Sequence, residues 1–499
     1  MAFKRYTLLV GSIVMIFTGC MIFLLVYKQS SEAPIQGRQH SMKLPAPNFV
    51  IILLDSVRAD HLSCYGYPQN TSPHIDSLAA QGITFNHAIC QAPWTFPSVF
   101  SMLSGYYPHK QGTWIIKKEG TPWWQNLMKP STTIPLLSEL LQEAGYRTWA
   151  FSTNTYINDQ RMKERGFEEF QYIWKAPAME VVNYGIEKMR EAENSSNPFF
   201  LYLHFMDAHH PLQPPEQYYN LFPCSDRKQN EKRHEWWEFK KHAEQEGEAF
   251  ENYREHKISL YDGTIRYMDD EIGRLLVELE GSSLAHDTVV VVLADHGDEF
   301  WDHADFQALH YKSFQERQGV SHGHTLFQEL IWVPLIITTF PSHKGLSSLR
   351  LQQPAIVEEA VPLVDLVPTL LSLAELLPST QFDGTSVVSL MNQSLSPAAG
   401  TTGTYRRSIF SESTASGSMK ISLIEYPYKF IYAQGETNAL FNIDEDQAEK
   451  ENLIEEKGTV ASSMAEKIFR FIEEKPPPTE ELSVSEEDRK KLEALGYIE

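Results

Sequence analysis

Phe49-Val50-Ile51-Ile52-Leu53-Leu54-Asp55 is a continuous apolar run that stops on a carboxylate. Without the two-residue alternation of a half-solvated strand, it predicts a strand covered on both faces, as in a parallel sheet. The pattern recurs. Pro198-Phe-Phe-Leu-Tyr-Leu-His-Phe-Met206 ends at Asp207, with His209 and His210 just beyond, and Thr288-Val-Val-Val-Val-Leu293 runs into Asp295-His296-Gly297. Ile83–Ile89, Thr148–Phe151 and Val333-Pro-Leu-Ile-Ile337 read as further strands. Between them lie helical patterns: His74 to Gln81, stopped by Gly82; a segment from Thr133, with a Thr cap and an early proline, closed by Gly145; and Tyr261 to Glu280, with Ile265, Met268, Ile272, Leu275, Leu276 and Leu279 at helical spacing. Strands alternating with helices predict an open α/β sheet whose ligands bind outside the carboxyl ends of the strands. One carboxylate at a strand end is ordinarily a turn former. Three, with histidines beside two of them, form a metal-site pattern.

A second stretch, Ala92-Pro-Trp-Thr95-Phe-Pro97-Ser98-Val-Phe-Ser-Met-Leu-Ser-Gly105, reads as a short helix. Pro97 is tolerated only in a first turn, and Gly105 stands where a left-handed C-terminal cap belongs. Thr95 then lies at the helix N-terminus, beside unpaired N–H groups that favour an anion. Locally it is either a simple helix cap or a reactive hydroxyl.

The chain has 499 residues, 42% of them hydrophobic, enough for a large core. Its formal net charge of -22 argues against nucleic acid as a partner. Four cysteines without CxxC spacing indicate neither a zinc knuckle nor a dense disulfide framework, while a Cys64–Cys90 bridge stays open. Tyr6 to Tyr27 is uncharged and long enough to cross a bilayer, preceded by Lys4 and Arg5 and followed by Lys28. A cleaved signal peptide is the rival reading, but apolar residues continue past Cys20, which suits an anchor better. The expectation is a single-pass membrane anchor over 1–28, a polar linker over 29–47, and a body on the extracytoplasmic side, whether periplasm, lumen or cell surface. The sequons at Asn70, Asn194 and Asn392 fit that setting. Residues 214–257 are charged and Trp-rich and read as a rim or lid within a catalytic domain over 48–361. A smaller α+β subdomain over 362–475 and a loosely packed acidic tail over 476–499 follow.

Asp55, Asp295 and His296 are ligands suited to one divalent ion, Zn, Mn, Ca or Mg, and Thr95 could join them as an alkoxide aimed at an electrophile. Ile-Leu-Leu-Asp55-Ser-Val-Arg58-Ala-Asp60-His61-Leu-Ser-Cys-Tyr65-Gly66 and Pro73-His-Ile-Asp76 resemble the opening signature of the sulfatase family, within the alkaline phosphatase superfamily. Thr95-Phe-Pro97-Ser98, with Ser104-Gly105 after five residues, resembles its nucleophile motif. Asp207-Ala-His209-His-Pro, Ala294-Asp295-His296-Gly297-Asp298, His322-Gly-His324-Thr-Leu-Phe and Trp332-Val-Pro-Leu-Ile resemble later blocks. Val364-Asp365-Leu-Val-Pro-Thr and Leu440-Phe-Asn-Ile-Asp resemble the C-terminal ones. The likeness runs in order from about Phe49 to the C-terminus. It implies an alkaline-phosphatase-like sandwich with a mainly parallel central sheet flanked by helices, and an ester hydrolase acting on an anionic substrate: a sulfated or phosphorylated glycan, lipid or small molecule.

This chain departs from the family pattern at telling places. Thr95 stands where the family has the Cys or Ser that becomes formylglycine, Val99 replaces an Arg, and Ser56 stands where many sulfatases carry a second Asp ligand. Cys90 lacks a proline at its second following position and cannot substitute. Without the formylglycine diol, Thr95 has no second hydroxyl from which to expel sulfate, so release needs water, which attacks more readily at phosphorus. Thr here is similar to the nucleophile of nucleotide pyrophosphatases and of phosphoethanolamine and phosphoglycerol transferases, so transfer to an acceptor is the alternative to hydrolysis, and a non-catalytic binding protein a further one. Those relatives imply a metal held by Asp55, Thr95, Asp295 and His296. A second would use Asp207, His209 or His210, and His324 or His322. With one metal, His209 and His324 would act as general acid and charge stabiliser at the leaving group.

Overall fold

The computed structural model describes residues 46–113, 129–225, 247–312, 319–340, 354–376, 380–393, 407–473 apart from Ser416, and 485–494. The expected anchor and nearly all of the expected linker lie outside these residues. So does most of the middle of the rim segment. Among the described residues no helix is long and apolar enough to cross a membrane.

The apolar runs become the centre of an eight-stranded sheet. Its strands are β1 (Asn48–Leu54), β2 (Ile83–Phe85), β3 (Arg147–Ser152), β4 (Glu169–Tyr172), β5 (Phe199–Phe205), β6 (Thr288–Ala294), β7 (Leu335–Thr339) and β8 (Ala355–Val357). Their order is β8-β2-β7-β6-β1-β5-β3-β4. The five strands from β6 to β4 are parallel, whereas β7 runs antiparallel to both β6 and β2. β1 is central and every residue of β1, β5 and β6 is buried. Each fully buried Val, Leu, Ile or Phe there contributes roughly 1.5–3 kcal/mol of transfer free energy. This is why uninterrupted apolar runs, and not alternating ones, fill these places.

Helices α1 (Pro73–Gln81), α2 (Thr95–Ser104), α3 (Leu137–Glu143), α4 (Ala178–Ala192) and α5 (Glu248–Gly281) cover the sheet. α5 packs along α4 and α1 through Ile265, Met268, Ile272, Leu275 and Leu279, all buried. A four-stranded antiparallel sheet follows: β9 (Ile409–Ser413), β10 (Lys420–Glu425), β11 (Tyr428–Ala433) and β12 (Ala439–Asn442). Its residues alternate. Ile421, Leu423, Phe430 and Leu440 meet Ala461, Met464 and Ile468 of α6 (Gly458–Ile472), while Ile424, Ile431 and Phe441 join the main core.

Several expectations need correction. Ile83–Ile89 is not one strand: β2 ends at Phe85, and Ala88–Ile89 pairs in a separate three-stranded sheet. The strand expected over Val333–Ile337 is likewise divided at Pro334, which has no N–H to give a ladder, so β7 begins at Leu335. Thr133 does not cap α3. The helix starts four residues later, where Glu139 Oε2 accepts the Leu136 N–H at 2.7 Å. The rim segment gives up its last ten residues to α5, which begins at Glu248. The tail is not loose where it is described: α7 (Glu486–Ala494) buries Leu492 in the main core at 1% exposure. Cys64, Cys90 and Cys224 are free thiols, so the Cys64–Cys90 bridge is absent.

Candidate active site

β1 and β6 are neighbours in register, Leu54 opposite Ala294, so Asp55 and Asp295 leave the same sheet edge side by side. Ser56 ties them together: its Oγ donates to Asp55 Oδ1 at 2.9 Å and its N–H to Asp295 Oδ1 at 3.3 Å. Ser56 adopts φ 63° to do so, and the turn is held by Tyr261, whose hydroxyl donates to Ser56 O at 2.7 Å and accepts from Arg58 N at 2.9 Å. His296 Nδ1 lies 2.8 Å from Gly297 O, an acceptor, so Nδ1 carries the hydrogen and Nε2 turns its lone pair to the carboxylates. Nε2 is 3.7 Å from Asp55 Oδ1 and 3.5 Å from Asp295 Oδ2. Gly297 permits this bend, since a Cβ there would stand 2.0 Å from Glu329 O.

Thr95 opens α2, but not as its cap. Trp94 is the N-cap, in extended conformation and without a side-chain cap bond. The Thr95 hydroxyl instead donates to Asp55 Oδ2 at 3.4 Å and sits 3.3 Å from His296 Nε2. Ser98, one turn on, donates to the Asp295 carbonyl at 2.6 Å and fixes the helix against β6. Gly105 ends the helix at φ 78°, as a left-handed cap. Val99, in the place of the family's Arg, is buried in the core.

Asp55, Asp295 and His296 present ligand atoms within 4.8 Å of one another, all buried. Asp295 Oδ2 is buried without a hydrogen-bond partner, a group that a bound cation would satisfy. Despite burial, the His204 hydrogen bond and the His209 and His296 imidazoles hold Asp55 well below the usual carboxylate range. Burial and the Asp55 charge push Asp295 up to about 6. Two carboxylates this close in apolar surroundings do not both ionise comfortably without a positive charge. The donors are hard oxygens and one imidazole, and they fit Zn, Mn, Mg or Ca.

Among the described residues, two other triplets of ligand-type side chains are otherwise engaged. Asp269 accepts the His74 and Ile75 N–H groups at 3.0 and 2.8 Å and serves α1. His303 has Nδ1 on Glu329 at 2.7 Å and Nε2 on the Ala448 carbonyl at 3.0 Å, so both ring nitrogens are used.

Sequence reasoning missed two residues that touch the centre. Asn154, just past the end of β3, donates through Nδ2 to Asp55 Oδ2 at 2.7 Å and to Thr95 Oγ1 at 3.2 Å. Its orientation is set by Tyr156 N donating to Oδ1 at 2.8 Å. His204, in β5 opposite Leu53, places Nε2 3.1 Å from the same Asp55 oxygen, with the Tyr202 hydroxyl on Nδ1 at 3.1 Å. The signals were available: a polar residue ending a strand as the aspartates do, and a lone histidine inside an apolar run.

The remaining candidates separate. Asp207 turns away, accepting the Ala178 N–H at 3.2 Å at the start of α4, and burial pushes it up to about 7. Among the described residues it joins no group of metal-ligand side chains with the histidines. His324 places Nε2 2.9 Å from Glu299 Oε2. His322 brings its ring 4.3 Å from that of His296 and 4.9 Å from that of His209. His209 is buried, with Nδ1 2.8 Å from the His210 carbonyl, and burial lowers its pKa to about 4. His210 Nε2 lies 2.7 Å from Asp298 Oδ2.

A profile of the sulfatase family matches residues 47–376, and the chain belongs to that family of ester hydrolases in the alkaline phosphatase superfamily. An arylsulfatase of Clostridium perfringens is 23% identical over 468 residues, covering 82% of this chain and 90% of that protein. The uncharacterized sulfatase YidJ of Escherichia coli is 22% identical over 382 residues, covering 66% and 68%. The phosphonate monoester hydrolase of Agrobacterium radiobacter has the same fold, with a TM-score of 0.62 at 17% identity over 88% of this chain and 98% of that one. A protein solved with its substrate D-glucosamine-2-N,6-O-disulfate gives 0.64 at 16% identity over 86% and 97%.

Proposed function

We propose that the chain is a metal-dependent ester hydrolase in which Thr95 attacks a phosphate or phosphonate ester, with sulfate esters the poorer class, and is transiently esterified. The observation that carries this reading is the Thr95 hydroxyl 3.4 Å from Asp55 and 3.3 Å from His296, beside a carboxylate oxygen of Asp295 without a hydrogen-bond partner. Asp55, Asp295 and His296 would hold one divalent ion, Zn, Mn, Ca or Mg, together with Thr95. Bound there, the ion lowers the hydroxyl pKa and offsets charge on the reacting group. Asn154 and His204 keep Asp55 oriented, and His209 and His322 face the leaving group and the anionic oxygens.

The preference for phosphorus rests on Thr95 itself. A threonine ester has no second hydroxyl from which to eliminate, so only substitution at the transferred group frees the enzyme. The sulfated sugar of one structural relative and the phosphonate chemistry of another are both anionic esters, the substrate class proposed here on a glycan, lipid or small molecule. The uncharged sequence from Tyr6 to Tyr27 supports a membrane-anchored protein with this site on the extracytoplasmic side.

The test is an assay of the purified protein with Mn or Zn on 4-nitrophenyl phosphate, phosphonate and sulfate, with Thr95→Ala alongside. Turnover lost by at least ~10³-fold in Thr95→Ala, and a phosphorylated Thr95 peptide in quenched wild-type enzyme, are the expected results. A formyl group at residue 95, or turnover that survives Thr95→Ala, overturns the reading. Turnover only with an added alcohol acceptor marks a transferase instead, and membrane fractionation of the full chain checks the anchor.

A further inference from the structure

The loop that carries Asn154 is packed between the nucleophile and the end of the chain, with Thr153 to Asn158 all buried. On its inner side the Tyr156 ring stands edge-on to Trp94, centroids 5.5 Å apart, and tilted against Phe96 at 5.9 Å. Those two residues flank Thr95. Within the loop the Ile157 N–H donates to the Asn154 carbonyl at 3.0 Å. The Thr155 carbonyl accepts Asn158 Nδ2 at 2.9 Å and Arg161 Nη1 at 2.7 Å. Asn158 also accepts the Arg161 N–H at 3.3 Å and so caps a short helix, Asp159–Met162. Where residues 155–161 sit therefore decides where the Asn154 amide points.

On its outer side that loop meets α7. Ser485, just before the helix, accepts the Asp488 N–H on its Oγ at 3.0 Å, as an N-cap residue does. Asp488 is 7% exposed, and its Oδ1 accepts the Thr155 hydroxyl in a long bond of 3.5 Å. Its charge also serves Arg161, whose guanidinium pKa is lowered by burial while the Asp488 carboxylate opposes that shift. A buried cation needs such a counter-charge. Asp488 thus holds Thr155 twice, at the hydroxyl directly and at the carbonyl by way of Arg161. Farther along the helix, Lys491 Nζ lies 5.2 Å from the centre of the Tyr172 ring at the end of β4, and Leu492 is buried in the main core.

We propose that α7 is a positioning element of the active site, with Asp488 its positioning residue: it sets the 153–161 loop and thereby the Asn154 amide that spans Asp55 and Thr95. A loop released from α7 gains conformational freedom, and Asn154 then spends only part of its time within reach of both oxygens. The inference rests on the proposed function for what Asn154 serves, the ion at Asp55 and the Thr95 hydroxyl. The packing of the helix on the loop stands apart from it.

The test compares wild type, Asp488→Ala and Leu492→Ala in the full chain, by amide hydrogen exchange with mass spectrometry and by calorimetric titration with Mn. Exchange is expected to rise in 153–161 as well as in 485–494, with β1 and β6 unchanged. Mn affinity is expected to weaken about 3–10-fold in both variants. Made on Asn154→Ala, the same substitutions should weaken it no further, because the group they act through is gone. A merely structural role raises exchange in 485–494 alone or throughout the sheet, and that result overturns the inference. Mn affinity at the wild-type value overturns it as well, and so does a loss that adds in full to that of Asn154→Ala. Asp488→Ala guards against detachment of the helix, because it leaves Leu492 in the core. A wild-type chain that binds neither Mn nor Zn overturns the proposed function, and exchange in 153–161 then decides the inference by itself.

Discussion

Thr95 does its work through what surrounds its oxygen. One hydroxyl is in reach of a carboxylate, an imidazole and an amide, each fixed by a further bond: Ser56 on Asp55, the Gly297 carbonyl on His296, the Tyr156 N–H on Asn154. Asn154 is the most telling of these because its one amide group spans Asp55 and Thr95. Asn154→Ala removes both bonds and leaves Asp55 held by Ser56 and His204. We expect a 10–100-fold weaker affinity for Mn or Zn by calorimetric titration, with the fold intact by circular dichroism. Asn154 and His204 escaped the sequence reading for a physical reason. Their roles arise between strands β1, β5 and β3, at contacts 99 and 149 residues apart along the chain, and neither forms a local motif with Asp55.

Among the elements, the turns after β1 and β6 carry more of the function than the strands do. The strands supply parallel register, and the turns aim the side chains. Gly297 is the tightest point: its N–H donates to the Leu330 carbonyl at 3.0 Å, and a Cβ would meet Glu329 O at 2.0 Å. Gly297→Ala must push the turn off the 329–331 segment and take Asp295 and His296 with it. The expected outcome is loss of metal binding and at least ~10²-fold of activity, measured by titration and steady-state assay, with a stability loss of about 1–3 kcal/mol by urea unfolding. Long apolar strands and α2 are legible in the sequence because burial on both faces, an early Pro97 and a terminal Gly105 leave strong local marks. The divided segments 83–89 and 333–337 are not, because which sheet a short strand joins depends on partners distant in the chain. α3 shows the same limit: Thr133 and an early proline imitate a start that tertiary packing places at Leu137.

On the scale of the whole molecule, the site is locked to the C-terminal sheet by buried charge. Lys429 in β11 pairs with Glu449 at 2.7 Å, both fully buried. Glu449 Oε2 also accepts the Gln328 N–H at 2.6 Å. His303, on the segment that follows Asp295 and Asp302, bridges Glu329 and the Ala448 carbonyl. Against the pull of burial, the Glu329 and Glu449 charges raise His303 to about 9. With the folded pKa above the unfolded value of about 6.5, its stabilising charge is fully present below about pH 6.5 and is lost as pH rises through about 9. Unfolding free energy should fall by about 2 kcal/mol between pH 7 and pH 10, and His303→Gln should flatten that decline in urea titrations at several pH values.

The sequence by itself determined the layered α/β architecture, the strand ends at Asp55 and Asp295, and the helix that begins at Thr95. Each is written in local chemistry: unbroken hydrophobicity, a carboxylate where a strand must stop, a proline and a glycine bounding ten residues. Only the tertiary structure decided which histidines reach the centre. It set the His322 ring beside those of His296 and His209, turned Asp207 toward α4, and drew Asn154 and His204 onto Asp55. Strand order and turn geometry set where a side chain points, and both are made by contacts between residues far apart in the chain.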